Sequence, residues 1–125
     1  MLDLNPDTVR FIVDKARAFH VKEAVTIPEE PLSPSDDWAQ QILADHIDDP
    51  VFQELETTIN DLEPDQQVSL VALMWLGRGD FAMDEWTDAL RQAWESRNER
   101  TAQYLIGTPL LADYLLEGLD QFGMD

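Results

Sequence analysis

Val68-Ser69-Leu70-Val71-Ala72-Leu73-Met74-Trp75-Leu76, ended by Gly77-Arg78-Gly79-Asp80, is the stretch that decides the fold. Eight of its first nine positions are apolar. Wound at 3.6 residues per turn from Pro64, this run has no polar side. A short helix of that kind is stable only when other helices surround it. Pro64 to Leu76 is therefore expected to be the central helix, with the glycines after it free to take the left-handed conformation that stops a helix.

Proline marks the neighbours. Asn5-Pro6, Asp49-Pro50, Glu63-Pro64 and Thr108-Pro109 each place proline after a residue that caps or favours a helix start. Proline at the first helical position loses nothing, because its missing N–H would be unpaired there. A helix over 6–22 follows, with Val9, Ile12, Val13, Ala16 and Phe19 on one stripe and Asp7 complementing the dipole. Pro28, Pro31 and Pro34 then recur every third residue, the spacing of an extended connection. Ser35 is placed to cap a short helix over 36–45 carrying Trp38, Ile42 and Leu43. Residues 50–62 align Phe52, Leu55, Ile59 and Leu62 at helical spacing.

The longest helix is expected over 84–106, with Trp86, Leu90, Ala93, Trp94, Arg97, Thr101, Tyr104 and Leu105 on one stripe. It would span about 34 Å. Gly107 ends it, and Thr108-Pro109 opens a last helix to Asp120 with Leu110, Leu111, Tyr114, Leu115 and Leu119 inward. No window alternates as a strand does. The expected fold is thus all-α: a compact, orthogonal-type bundle of about six helices around a central apolar helix. With 125 residues the chain has the size of one domain, and it has no cysteine for disulfides, thiolate metal sites or thiol catalysis.

Charge is the dominant compositional feature: 26 acidic against 8 basic residues, net −18. Between Lys22 and Arg78 there is no lysine or arginine, while 13 carboxylates lie between Glu23 and Asp65. Such a surface repels phosphate backbones and anionic lipid, so neither nucleic acid nor membrane is an expected partner. No run approaches the roughly 20 apolar residues of a membrane span, and Met1 to Arg10 lacks the apolar core of a signal peptide; a cytoplasmic protein is expected. The acidic surface has two readings, a solubility or salt-adapted coat and a docking surface for a basic protein partner.

Catalytic templates fail. Gly77 and Gly79 match neither phosphate-loop nor dinucleotide spacing. His20 and His46 stand alone near helix ends. The calcium-loop resemblance at Asp61 to Asp65 breaks at Gln66 and Ala72, where glycine and glutamate are required. Asp84 with Asp88 and Asp113 with Glu117 have metal-bundle spacing but no histidine beside them. No catalytic residue, cofactor or metal site is expected. One candidate ligand contact stands out, an anion site made of Arg78, Arg97, Arg100 and Thr108, with free N–H groups at the start of the last helix. Pairing of these arginines with the abundant carboxylates is the competing reading.

Three blocks carry a resemblance. They are Pro34-Ser35-Asp36-Asp37 with Asp48 to Leu55; Leu70 to Asp80; and Arg100-Thr101-Ala102-Gln103-Tyr104-Leu105-Ile106-Gly107-Thr108-Pro109-Leu110-Leu111. Together they resemble a bacterial family catalogued as domain of unknown function 3775. The resemblance implies a bacterial cytoplasmic domain forming one structural unit and brings no activity, cofactor or catalytic residue with it. It draws attention to Trp75, Gly77, Arg78, Asp80, Arg100, Gly107 and Asp113. The leading expectation for function is a non-enzymatic interaction or regulatory domain. A small enzyme or anion-binding domain and a homo-oligomer with an exposed aromatic face stand behind it.

Overall fold

The structure, a computed structural model, describes residues 4–22, 49–98, 100–108 and 110–123. The helix expected over 36–45, the proline-spaced connection and His46 lie outside the described residues. Within them the chain is all-α: α1 (Pro6–Lys22), α2 (Pro50–Asn60), α3 (Pro64–Arg78), a 3-10 turn (Met83–Glu85), α4 (Trp86–Ser96), α5 (Thr101–Ile106) and α6 (Leu111–Gln121). None of these helices is long and apolar enough to cross a membrane.

The first two starts follow the capped-proline reading. Asn5 Oδ1 accepts the Asp7 N–H at 2.9 Å ahead of α1, and Asp49 Oδ1 accepts from Val51 at 2.8 Å ahead of α2. Each satisfies N–H groups that the first helical turn leaves without partners. At the other end of α2, Gln67 of α3 reaches back and donates from Nε2 to the carbonyls of Ile59 at 3.0 Å and Leu62 at 3.2 Å. The tight α2–α3 turn is thereby held by a side chain of the central helix.

All nine residues from Val68 to Leu76 are buried. The strongest helix contacts run α4–α3–α6–α1–α2–α5, and a side-chain hydrogen bond from Trp75 to Tyr104 joins α3 to α5 and closes the circuit. Enclosure by α4, α5 and α6 is the physical reason α3 needs no polar face. The α3–α6 pair approaches unusually closely. A Cβ at Gly77 would meet the Tyr114 carbonyl oxygen at 1.7 Å, and one at Gly118 would meet the Leu73 carbonyl oxygen at 2.7 Å. Phe19 of α1 packs on Phe52 of α2 at 5.7 Å, and Trp86 of α4 meets Phe122, just past α6, edge-on at 4.9 Å.

Three expectations are corrected. The single helix over 84–106 is two. Arg97 adopts an extended backbone (ψ 134°), Asn98 Oδ1 accepts the Arg100 N–H at 2.8 Å, and the Thr101 hydroxyl donates to the Asn98 carbonyl at 2.8 Å. Short polar side chains here offer the backbone hydrogen bonds that compete with helix continuation. The 11 residues of α4 span only about 16 Å. Second, Trp94 is not inward: α4 buries Trp86, Ala89 and Ala93, which turns Trp94 outward with 52% of its surface exposed. Third, α6 starts at Leu111, not at Pro109. Leu110 precedes it, half-exposed, and Thr108 provides no side-chain cap.

Candidate functional site

A hydrogen-bonded polar cluster lies where α3 ends. Gly79, at φ 94°, occupies the left-handed region that glycine adopts without penalty. Its N–H donates to the Leu76 carbonyl and the Asp80 N–H to that of Trp75, the paired bonds of a Schellman stop. Phe81 then stacks on Trp75 at 6.0 Å, the apolar contact that accompanies such a stop. This turn brings Asp80 back over Arg78. Arg78 donates from Nε and Nη2 to Asp80 Oδ2 at 2.8 and 2.6 Å.

Tyr104 of α5 completes the cluster. Its hydroxyl accepts from Trp75 Nε1 at 2.7 Å and also hydrogen-bonds Arg78. Burial pushes the Tyr104 phenol above its ordinary pKa, against the opposing pull of the hydrogen bonds from Trp75 and Arg78 and the charge of Arg78. Burial works to discharge the Arg78 guanidinium, but the hydrogen bonds and charge of Asp80 and Tyr104 prevail and hold its pKa above the usual value. Arg78, with 11% of its side chain exposed, is thus a paired cation that ties the α3 stop to α5.

The four candidate anion contacts fare differently. Arg78 and Thr108 both converge on Tyr104, Arg78 at the hydroxyl and Thr108, fully buried, through a donation from its own hydroxyl to the Tyr104 backbone carbonyl at 3.1 Å. Arg97 lays its guanidinium over the Trp94 ring, 4.9 Å from the centroid. Arg100 is half-buried at the α4–α5 break, beside Asn98. Among the described residues no group of three or more His, Cys, Asp or Glu side chains has the arrangement of a metal site.

The remaining basic residues with described side chains are also engaged. Arg10 pairs with Asp7, Lys15 with Glu54, Arg17 with Asp113 and Arg91 with Asp88, at 2.7–3.2 Å. Two of these pairs cross helices, Lys15–Glu54 from α1 to α2 and Arg17–Asp113 from α1 to α6. By contrast, Asp14, Asp61, Glu63, Asp65, Asp84, Glu85, Glu95 and Glu117 are exposed and have no cationic partner among the described residues. Two features escaped the sequence reading. The Trp75–Tyr104 bond joins residues 29 positions apart and leaves no local trace. Outward Trp94 was hidden by a stripe drawn through a helix that breaks; the Asn98–Thr101 pair was the available signal.

No curated protein and no solved structure matches this sequence. The family described as Protein of unknown function (DUF3775) matches residues 52–124, which takes in every described helix except α1 and the first two residues of α2, together with the whole Trp75–Arg78–Asp80–Tyr104 cluster. Since the match covers more than half of the chain, this protein belongs to that family.

Proposed function

We propose that this chain is a cytoplasmic bacterial interaction module, non-enzymatic, that holds a basic protein partner against its acidic surface. One observation carries the reading: Arg10, Lys15, Arg17, Arg78 and Arg91 are already occupied by carboxylates and Arg97 by the Trp94 ring, while eight exposed carboxylates have no cationic partner among the described residues. A surface so arranged has unspent negative charge to offer, and complementary charge steers a cationic partner and rejects anionic ones. Arg78, committed to Asp80 and Tyr104, argues against an open anion pocket at that position and so favours the surface reading over the anion-binding one.

The test is capture of proteins on the immobilised domain at about 50 mM and about 500 mM salt, with identification of what is retained. Screening shortens the reach of charge to a few ångströms at the higher salt. The reading expects basic proteins held at low salt and released at high salt. Retention of acidic or neutral proteins, or retention indifferent to salt, would refute it.

A further inference from the structure

Helix α4 has an inward side, Trp86, Ala89 and Ala93, and an outer side on which Trp94 stands half-exposed with Leu90 partly buried one turn before it. Tryptophan is a large apolar surface to leave in water, and together with arginine it is the residue most enriched where partners gain their binding energy. The Trp94 ring already carries one guanidinium, that of Arg97, so its face has the electrostatic character that attracts a cation. Glu95 beside it, and Asp84 and Glu85 at the other end of the same helix, are exposed without cationic partners among the described residues, whereas Arg91 is tied to Asp88.

We infer that the outer face of α4, centred on Trp94, seats a cationic segment of a partner protein in which arginines alternate with apolar side chains. This rests on the acidic-surface reading above and says where the partner is anchored and what its chemistry is. An apolar residue of the segment covers Trp94 and Leu90. An arginine of the segment stacks on the indole beside or in place of Arg97, the next meets Glu95, and arginines further along the segment reach Asp84 and Glu85 at the start of the helix. A second copy of this chain is a poor occupant, because it brings a further net charge of −18 to a surface that is already negative.

The experiment is calorimetric titration of the full chain with three synthetic peptides of equal length: one alternating Arg with Leu, one of Arg with Ser, and one of Glu with Leu. Wild type, Trp94→Ala and Trp94→Phe are compared, and their melts establish that each is folded. The Arg/Leu peptide is expected to bind wild type, to lose about tenfold or more in affinity on Trp94→Ala, and to recover most of it with Trp94→Phe. The Arg/Ser peptide should bind more weakly and lose less than the Arg/Leu peptide on Trp94→Ala, and the Glu/Leu peptide should not bind. Equal affinity of wild type and Trp94→Ala for the Arg/Leu peptide overturns the anchor while leaving the acidic-surface reading intact. Failure of both cationic peptides to bind overturns both. A concentration-dependent dimer of the free chain that Trp94→Ala abolishes would assign this face to self-association and overturn the inference as well.

Discussion

Gly77 of α3 lies directly against the backbone of Tyr114 of α6, so near that a Cβ at position 77 would stand 1.7 Å from the Tyr114 carbonyl oxygen. The same pair of helices repeats the device one turn away, where Gly118 of α6 faces the Leu73 backbone. Two missing side chains, one on each helix, set the distance at which the central helix and its principal neighbour pack.

Gly77→Ala should therefore force the helices apart, with a loss at or above the roughly 1–3 kcal/mol typical of overpacking. Gly118→Ala should lose a comparable amount, part of it relieved because the Leu73 side chain can shift while its carbonyl cannot. Gly79→Ala is the control: nothing lies within 4 Å of its Cβ position, and only the left-handed backbone opposes it, at about 1–2 kcal/mol. Denaturant melts that rank Gly79→Ala as more damaging than Gly77→Ala would contradict the close approach.

Leu73 is fully buried in the middle of α3. Leu73→Ala should open a cavity and lower stability by about 2–5 kcal/mol. A loss below about 1 kcal/mol in urea melts would mean that α3 is not the centre of the core.

Tyr104→Phe removes the acceptor of the buried Trp75 N–H and one partner of Arg78. An unpaired buried donor costs about 1–3 kcal/mol, so the variant should be destabilised by that order at neutral pH. It should also change the alkaline limb. The Tyr104 pKa is raised in the folded state, so above its ordinary value of 10.0 the unfolded chain has lost a proton that the native state keeps. Stability then falls as pH rises past about 10, and below that pH this contribution is fully retained. Thermal melts between pH 9 and 11 should fall less steeply for Tyr104→Phe than for wild type. Parallel slopes would show that Tyr104 does not titrate differently in the two states.

Most of this architecture is legible in the sequence because it rests on local rules. Asn5-Pro6 and Asp49-Pro50 announce their helices through capping, and the run from Val68 to Leu76, apolar at every position but Ser69, can only be enclosed. The stop after α3 is legible too, although the two glycines divide the work: Gly79 takes the left-handed turn, and Gly77, still helical, makes room for Tyr114. The α4–α5 break is less legible. A hydrophobic stripe runs through it undisturbed, and the decision belongs to Asn98 and Thr101, whose hydrogen bonds a periodicity count does not register. Of the candidate site, Arg78 was visible as a candidate anion contact between glycines. Its pairing with Asp80, two residues on, matches the competing reading of arginine–carboxylate pairing, whereas its bond to Tyr104 depends on packing between α3 and α5, which no local pattern encodes.

With 18 more acidic than basic charges, the folded chain repels itself more than an expanded one does. Moderate sodium chloride should raise the melting temperature at neutral pH, because about 0.15 M salt already limits the reach of charge to about 8 Å. A melting temperature that is flat or falls over that range would show the charges to be locally compensated.

On the proposed function, the acidic surface is held free for a partner and is not part of what keeps the domain folded. The triple variant Asp61→Asn, Glu95→Gln, Glu117→Gln addresses it: these side chains are exposed, lack cationic partners among the described residues and lie outside the first turn of any helix, where a carboxylate would support the fold through the dipole. Melting temperature and affinity for the basic protein captured by wild type should be measured on the same preparations. A melting temperature equal to or above that of wild type, together with a clearly weaker affinity, is expected. Unchanged affinity with a lowered melting temperature would mean that these carboxylates serve the fold, and would contradict the account.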